Sequence, residues 1–368
     1  MDITIPRDHL ADALQVCTRI IASKASRLSG GVLLQTNEYD EIEIIATDLQ
    51  TVFSTRLQSV VRKPGSVVLS AKWLQDVVKV LSNSEVDITE RSGEDAVALR
   101  SGSSRYILRT IPLDIFPQVT TEIENSVCSV VLEKDDFERA VGQVAVAAGT
   151  DEARPLFTGC LIDAGKDRLK FVATDSYRLA ERRLEAKVTG EDVKVVIGAR
   201  ILEEVSRLKF ESRGKVTLNL GKDSASFEIG QHRLKTRYIE GTFPDYERLI
   251  PQENPNKCEA ARHAFMESVK RVSVLARDLT PVKISLSEQE VVVEVKDTEI
   301  GEATDVVEGA IYRGEDLEIA FNPKYLMDGV GGCEGERVVI EMKDSLSAVL
   351  VRGEGDDRYR HLIMPIRL

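Results

Sequence analysis

The chain is poor in aromatic side chains: they make up 5% of its 368 residues, and Trp73 is the one tryptophan. Its cores must therefore be aliphatic, filled mainly by Val, Ile, Leu and Ala. It has no run of about 18 apolar residues, which argues against a membrane-spanning helix. The first residues, Met1-Asp2-Ile3-Thr4-Ile5-Pro6-Arg7, lack a basic stretch followed by an apolar one, so no secretory leader is expected. Cysteine is scarce. The five residues Cys17, Cys128, Cys160, Cys258 and Cys333 are odd in number and show no C-x-x-C spacing. They read as small apolar side chains, neither disulfides nor metal ligands, and the expected compartment is the cytoplasm. A basic balance is missing too. The net charge of −12 argues against an ordinary basic nucleic-acid binder. A total does not say where charge sits, however, and an acidic rim around a basic lining has the same sum.

Catalytic patterns are also missing. There is no G-x-x-x-x-G-K-[ST]. Gly329, Gly331, Gly332 and Gly335 follow a predicted helix instead of opening one, as at a helix end. The four histidines, His9, His232, His263 and His361, form no H-E-x-x-H. Asp48 and Asp175 occupy equivalent places in different sequence copies, so they read as turn residues and not as a paired acid and base. Neither an enzyme nor a metal or cofactor protein is expected.

What is present is repetition. Apolar residues at 10, 13, 14 and 17 mark one face of a helix, as do 137, 140, 141 and 144. A third helix begins at Ala264-Phe265 and carries Val269, Val272 and Leu275. Each is followed by a hairpin pattern: 32–35 with 42–48, 160–163 with 169–175, and 282–286 with 291–297. Ala-Thr-Asp ends the first two, at 46–48 and 173–175. A second helix then recurs, as Ser70-Ala71-Lys72-Trp73-Leu74, Gly198-Ala199-Arg200-Ile201-Leu202 and Asn322-Pro323-Lys324-Tyr325-Leu326, with a cation at the same place each time. A closing strand ends each copy, at 104–109, 232–237 and 357–362. Linker-like stretches follow Phe116-Pro117 and run through Pro251 to Lys257. The sequence thus predicts an α+β protein of three repeated domains, 1–122, 123–252 and 253–368, each with two helices packed on antiparallel sheet.

Several blocks are similar to bacterial DNA polymerase III beta subunits. The ending Met364-Pro365-Ile366-Arg367-Leu368 resembles that family's M-P-M/I-R-L. Ala173-Thr174-Asp175-Ser176-Tyr177-Arg178-Leu179-Ala180 resembles A-T-D-G-H-R-L-A, with Ser176-Tyr177 in place of Gly-His. Phe321-Asn322-Pro323-Lys324-Tyr325-Leu326 resembles F-N-P-K-Y-L, and Phe243-Pro244-Asp245-Tyr246, with Arg248 after it, is a further match. The segment around Leu28-Ser29-Gly30-Gly31 departs by lacking the family's prolines. The resemblance runs the length of the chain.

It implies the DNA-clamp fold, closed head to tail as a homodimer into a six-domain ring. It implies a non-enzymatic sliding clamp that encircles duplex DNA without sequence specificity. As a processivity factor, such a clamp tethers DNA polymerase III, clamp-loader subunits and other replication and repair proteins, the last through a short peptide motif. Cations expected to meet phosphates are Lys24, Lys72, Arg200, Lys270 and Lys324, with Arg19, Lys79, Arg207 and Arg271 as further candidates. The expected partner-peptide cleft is lined by Thr174, Arg178, Leu179, Pro244, Arg248, Leu249, Asn322, Tyr325, Met364, Pro365 and Ile366, with Arg178, Arg248 and Arg367 on its rim. Val274 and Leu275, on the third domain's first helix, are expected to meet Tyr106 of a second copy. A scaffold of the same fold that does not encircle DNA is the alternative.

Overall fold

A computed structural model describes residues 1–21, 30–37, 40–91, 93–166, 168–209, 214–251, 253–277 and 280–367. Lys24, Leu28, Ser29 and Leu368 lie outside the described residues. The chain divides into two compact units. The first comprises Met1–Lys134, Thr189–Glu191 and Glu204–Tyr238, and the second Asp135–Val188, Asp192–Glu203 and Ile239–Leu368. The middle sequence copy contributes to both.

One order of elements occurs three times. A strand leads into a first helix: α1 (Arg7–Ile21), α3 (Lys134–Val144) or α5 (Arg262–Val272). Antiparallel strands follow, and then a second, shorter helix: α2 (Ala71–Val80), α4 (Ala199–Ser206) or α6 (Pro323–Gly332). More antiparallel strands close each copy. The predicted apolar faces are the ones that become buried. Leu10, Ala13, Leu14 and Cys17 of α1 are buried, as are Phe137, Ala140, Val141 and Val144 of α3. The third pattern differs at its end, because α5 stops at Val272 and residues Ser273–Leu275 form a 3-10 turn. Val274 and Leu275 therefore follow the helix instead of belonging to it.

All five cysteines are buried. Burial pushes the thiols of Cys17, Cys160, Cys258 and Cys333 up to about 12, which suits their reading as small apolar groups. Among the described residues no helix is long and apolar enough to cross a membrane.

Six strands lie at the copy boundaries, and four of them form joints between copies. The six are β1 (Thr51–Gln58), β2 (Ser104–Ile111), β3 (Arg178–Leu184), β4 (His232–Arg237), β5 (Gly301–Val306) and β6 (Tyr359–Ile363). In the first unit β4 pairs antiparallel with β1, with Thr236 opposite Thr51 and Leu234 opposite Phe53. In the second unit β6 pairs antiparallel with β3, with Ile363 opposite Arg178 and Leu362 opposite Leu179. Each pairing joins the closing strand of one copy to the fourth strand of the copy before it. Both continue a sheet across a copy boundary instead of leaving two edges exposed.

Candidate functional site

The cleft residues gather in the second unit, around the start of β3. The turn into β3 is organised by Thr174 and Asp175. The Thr174 hydroxyl donates to the Arg178 carbonyl at 2.6 Å, and Asp175 Oδ1 accepts the Tyr177 and Arg178 amides at 2.9 and 3.0 Å. Asp48 does the same in the first copy, accepting the amides of Gln50 and Thr51, and Asp297 in the third, accepting those of Glu299 and Ile300. These are Asx turns, the role expected for Asp48 and Asp175. Ser176 sits at φ 78°, a conformation that costs a side-chain-bearing residue energy. The family's glycine at this place therefore has a backbone reason. Serine keeps the turn, and the Tyr177 ring projects outward, 59% exposed.

Arg178 is not on the rim, contrary to the sequence expectation. Its side chain is 6% exposed, with Nε donating to Asp175 at 3.1 Å and Nη1 to Asp328 at 2.5 Å. The guanidinium lies over the Tyr325 ring, 4.2 Å from its centroid. A cation committed to two carboxylates has little left to offer an incoming acidic group. Arg248, 85% exposed and paired with Asp245 at 2.7 Å, and the exposed Arg367 are the rim cations.

Leu179 is core. It packs with Leu161, Val172, Val196, Tyr246, Leu350 and Leu362 in one buried cluster. Thr174 is buried too. The accessible apolar groups of the set are others: Leu249, Met364 and Ile366 are exposed, as is Pro244, while Pro365 is half-buried. The sequence reading missed Leu156, Phe243, Ile250 and Ala348, which are half-buried against the same cluster. Phe243 lay inside a motif already singled out, but Leu156 and Ala348 lie in no periodic pattern.

The tail is held by its backbone. The Met364 amide donates to the Tyr177 carbonyl and the Ile366 amide to the Ala320 carbonyl, both at 2.8 Å. This leaves the Met364 and Ile366 side chains 44% and 38% exposed. Asn322 caps α6, its Oδ1 accepting the Lys324 and Tyr325 amides at 2.9 and 3.3 Å. The cap starts the helix that carries Tyr325 and Asp328.

Lys72, Arg200 and Lys324 are each the second residue of a second helix, and all are exposed. Lys270 is exposed on α5, near Glu267 at 3.7 Å. Lys79 is exposed, Arg207 is exposed and lies 3.5 Å from Glu204, Arg19 pairs with Glu204, and Arg271 pairs with Asp305. Of the expected dimer residues, Val274 is 80% exposed. Leu275 and Tyr106, the latter on β2, are half-buried. Among the described residues no cluster of three or more His, Cys, Asp or Glu could hold a metal ion.

Three family models match along the chain: the DNA polymerase III beta subunit N-terminal domain over residues 1–120, its central domain over 131–245 and its C-terminal domain over 247–367. The beta sliding clamp of Streptomyces coelicolor is 29% identical over the full length of both chains. The beta sliding clamp homolog GriR of Streptomyces muensis is also 29% identical, over 100% of this chain and 99% of its own. Among solved structures, the Bacillus subtilis DNA polymerase sliding clamp matches with a TM-score of 0.92 at 25% identity, covering 100% of this chain and 99% of that one. The Pseudomonas aeruginosa sliding clamp bound to griselimycin matches with a TM-score of 0.91 at 27% identity, over the whole of both chains.

Proposed function

Because the chain belongs to the DNA polymerase III beta subunit family of sliding clamps, we propose that two copies close head to tail into a six-domain ring that holds duplex DNA by topology. The observation that carries this reading is the repeated joint. Two of the three closing strands, β4 and β6, are paired inside the chain. Among the described residues, β2 keeps one edge open over 104–109, and β5 is one of the two edge strands of its four-stranded sheet. A third joint of the same kind, β2 of one copy on β5 of another, uses both edges. A head-to-tail contact that closes after two subunits also does not grow into a filament.

Val274, the exposed Trp73 and Val80, and Tyr106 are the apolar groups this joint would cover. Domain boundaries at 1–122, 123–252 and 253–368 are part of this reading; the matched segments run over 1–120, 131–245 and 247–367.

The ring contributes no chemistry of its own and is cytoplasmic. Its lining is Lys72, Arg200, Lys270 and Lys324, with Lys24, meeting phosphates without reading bases. Dissociation then requires opening a subunit joint, while weak, screened contacts permit sliding. The cleft around Leu249, Met364 and Ile366 takes a short peptide with apolar anchors from the polymerase, the clamp loader and repair proteins. Arg248 and Arg367 favour an acidic flank on that peptide.

The deciding experiment loads the protein on nicked circular DNA and then cuts the circle. A ring stays on the circle through a high-salt wash and leaves when the DNA is linearised. Equal retention on circle and linear DNA would make the protein a scaffold that does not encircle DNA.

A further inference from the structure

Arg178 meets two carboxylates of different origin. Asp175 lies three residues before it in the same turn. Asp328 comes from α6, 150 residues away in sequence. Asp175 fixes only the near end of the side chain, through Nε. The far end, over Tyr325, is held by Asp328 through Nη1. A buried ion pair contributes little net stability, because desolvation offsets the Coulomb attraction. What such a pair does supply is a fixed geometry.

The approach of α6 depends on a glycine. A Cβ at Gly329 would come within 2.8 Å of Cδ2 and 3.1 Å of Cγ of His361, which is fully buried on β6. Moving the ring aside would disturb the contact of its Nδ1 with the Tyr359 hydroxyl at 3.1 Å inside the core. Gly329 directly follows Asp328, so the contact that sets the height of α6 over β6 also sets the reach of Asp328 to Arg178.

We propose that Asp328 is a positioning residue of the peptide cleft: it anchors the Arg178 guanidinium, which in turn fixes the Tyr325 ring as part of the cleft wall, and Gly329 permits that reach. Asp328 itself touches no ligand. The inference rests on the reading of the Leu249–Met364–Ile366 surface as the partner site.

The test uses the full-length protein and griselimycin, the ligand of the matched Pseudomonas aeruginosa clamp, with binding measured by calorimetry. A chain ending at Ile363 establishes that binding reports on the cleft. Asp328→Ala is expected to weaken griselimycin by about ten- to a hundredfold, the range for losing a charged hydrogen bond. Sedimentation should be unchanged, and the melting temperature should fall less than in Arg178→Ala, because Arg178 keeps Asp175. Asp328→Asn keeps an acceptor oxygen in place and should recover most of the affinity, which a merely structural role would not predict. Gly329→Ala should mimic Asp328→Ala, and Gly329→Ala/His361→Ala, which clears space for the new methyl, should restore binding. In NMR spectra the Arg178 guanidinium protons should be slow to exchange in the parent protein and fast in Asp328→Ala.

Undiminished griselimycin affinity in Asp328→Ala overturns the inference while leaving the cleft standing. Failure of the parent protein to bind, or full binding by the chain ending at Ile363, overturns the cleft reading and this inference with it.

Discussion

The two closed joints, β1 with β4 and β3 with β6, share a backbone plan but differ in the charge they bury. Both begin at an Asx turn whose second residue is a non-glycine in the left-handed region, Leu49 at φ 75° and Ser176 at φ 78°. Both set a carboxylate at the sixth residue of a second helix, Glu204 on α4 and Asp328 on α6. The arginine that answers it comes from different places. In the first unit it is Arg19, from α1, and the strand position matching Arg178 is Thr51, whose hydroxyl meets Thr236 at 3.2 Å. In the second unit it is Arg178, from the strand itself. A backbone joint thus fixes where a carboxylate stands without fixing what it pairs with. Only the second arrangement gathers an arginine, a tyrosine and an exposed tail at one place. The matching acid of the first copy, Asp76, is exposed on α2.

The largest expected effect lies at the open joint. Val274→Ala/Leu275→Ala removes roughly 2–4 kcal/mol of apolar burial per interface, at both interfaces of a ring. Sedimentation at micromolar concentration should then show monomers, and an unchanged dimer would mean that these residues lie elsewhere. At the second joint, Arg178→Ala leaves Asp175 and Asp328 facing each other without a cation, for a loss of about 3 kcal/mol. Arg19→Ala should cost less, since Arg19 is a third exposed and Glu204 also has Arg207 at 3.5 Å. Urea unfolding of the two variants compares them directly, and equal losses would erase the distinction between the joints.

Acid should separate the joints again. Burial depresses the pKa of both strand histidines, that of His361 to about 3, while His232 shifts in the same direction and keeps a contact with the Lys209 carbonyl at 2.9 Å. A histidine whose folded pKa is lowered binds its proton more readily when unfolded. Its site is therefore fully stable above the unfolded value of about 6.5 and loses stability as pH falls from there toward about 3. His361→Leu should flatten the decline in stability between about pH 6.5 and 5, as measured by thermal melts, more than His232→Leu does. The smallest effect is at the turns. Ser176→Gly and Leu49→Gly each relieve a left-handed backbone and should stabilise by up to about 1 kcal/mol, visible as a small rise in melting temperature.

Much of this was legible in the residues. Periods of 3.6 and 2 depend only on which residues are apolar, so the three-fold order of helices and strands could be read directly. The Asx turns could be read as well, because Asp48 and Asp175 bond to amides two and three residues on. The cleft was legible only as a set of positions. Nothing local in Arg178 says that it is buried, since the carboxylate that pins it arrives from α6. Nothing local in Leu179 says that it is core while Leu249 stands exposed. The sequence by itself determined the repeat, the aliphatic cores and the family, because these follow from short-range pattern and local identity. The tertiary structure alone decided which cations are free and which are held, and which apolar groups remain on the surface. Those outcomes depend on contacts between residues far apart in the chain, such as the one that Gly329 makes possible between α6 and β6.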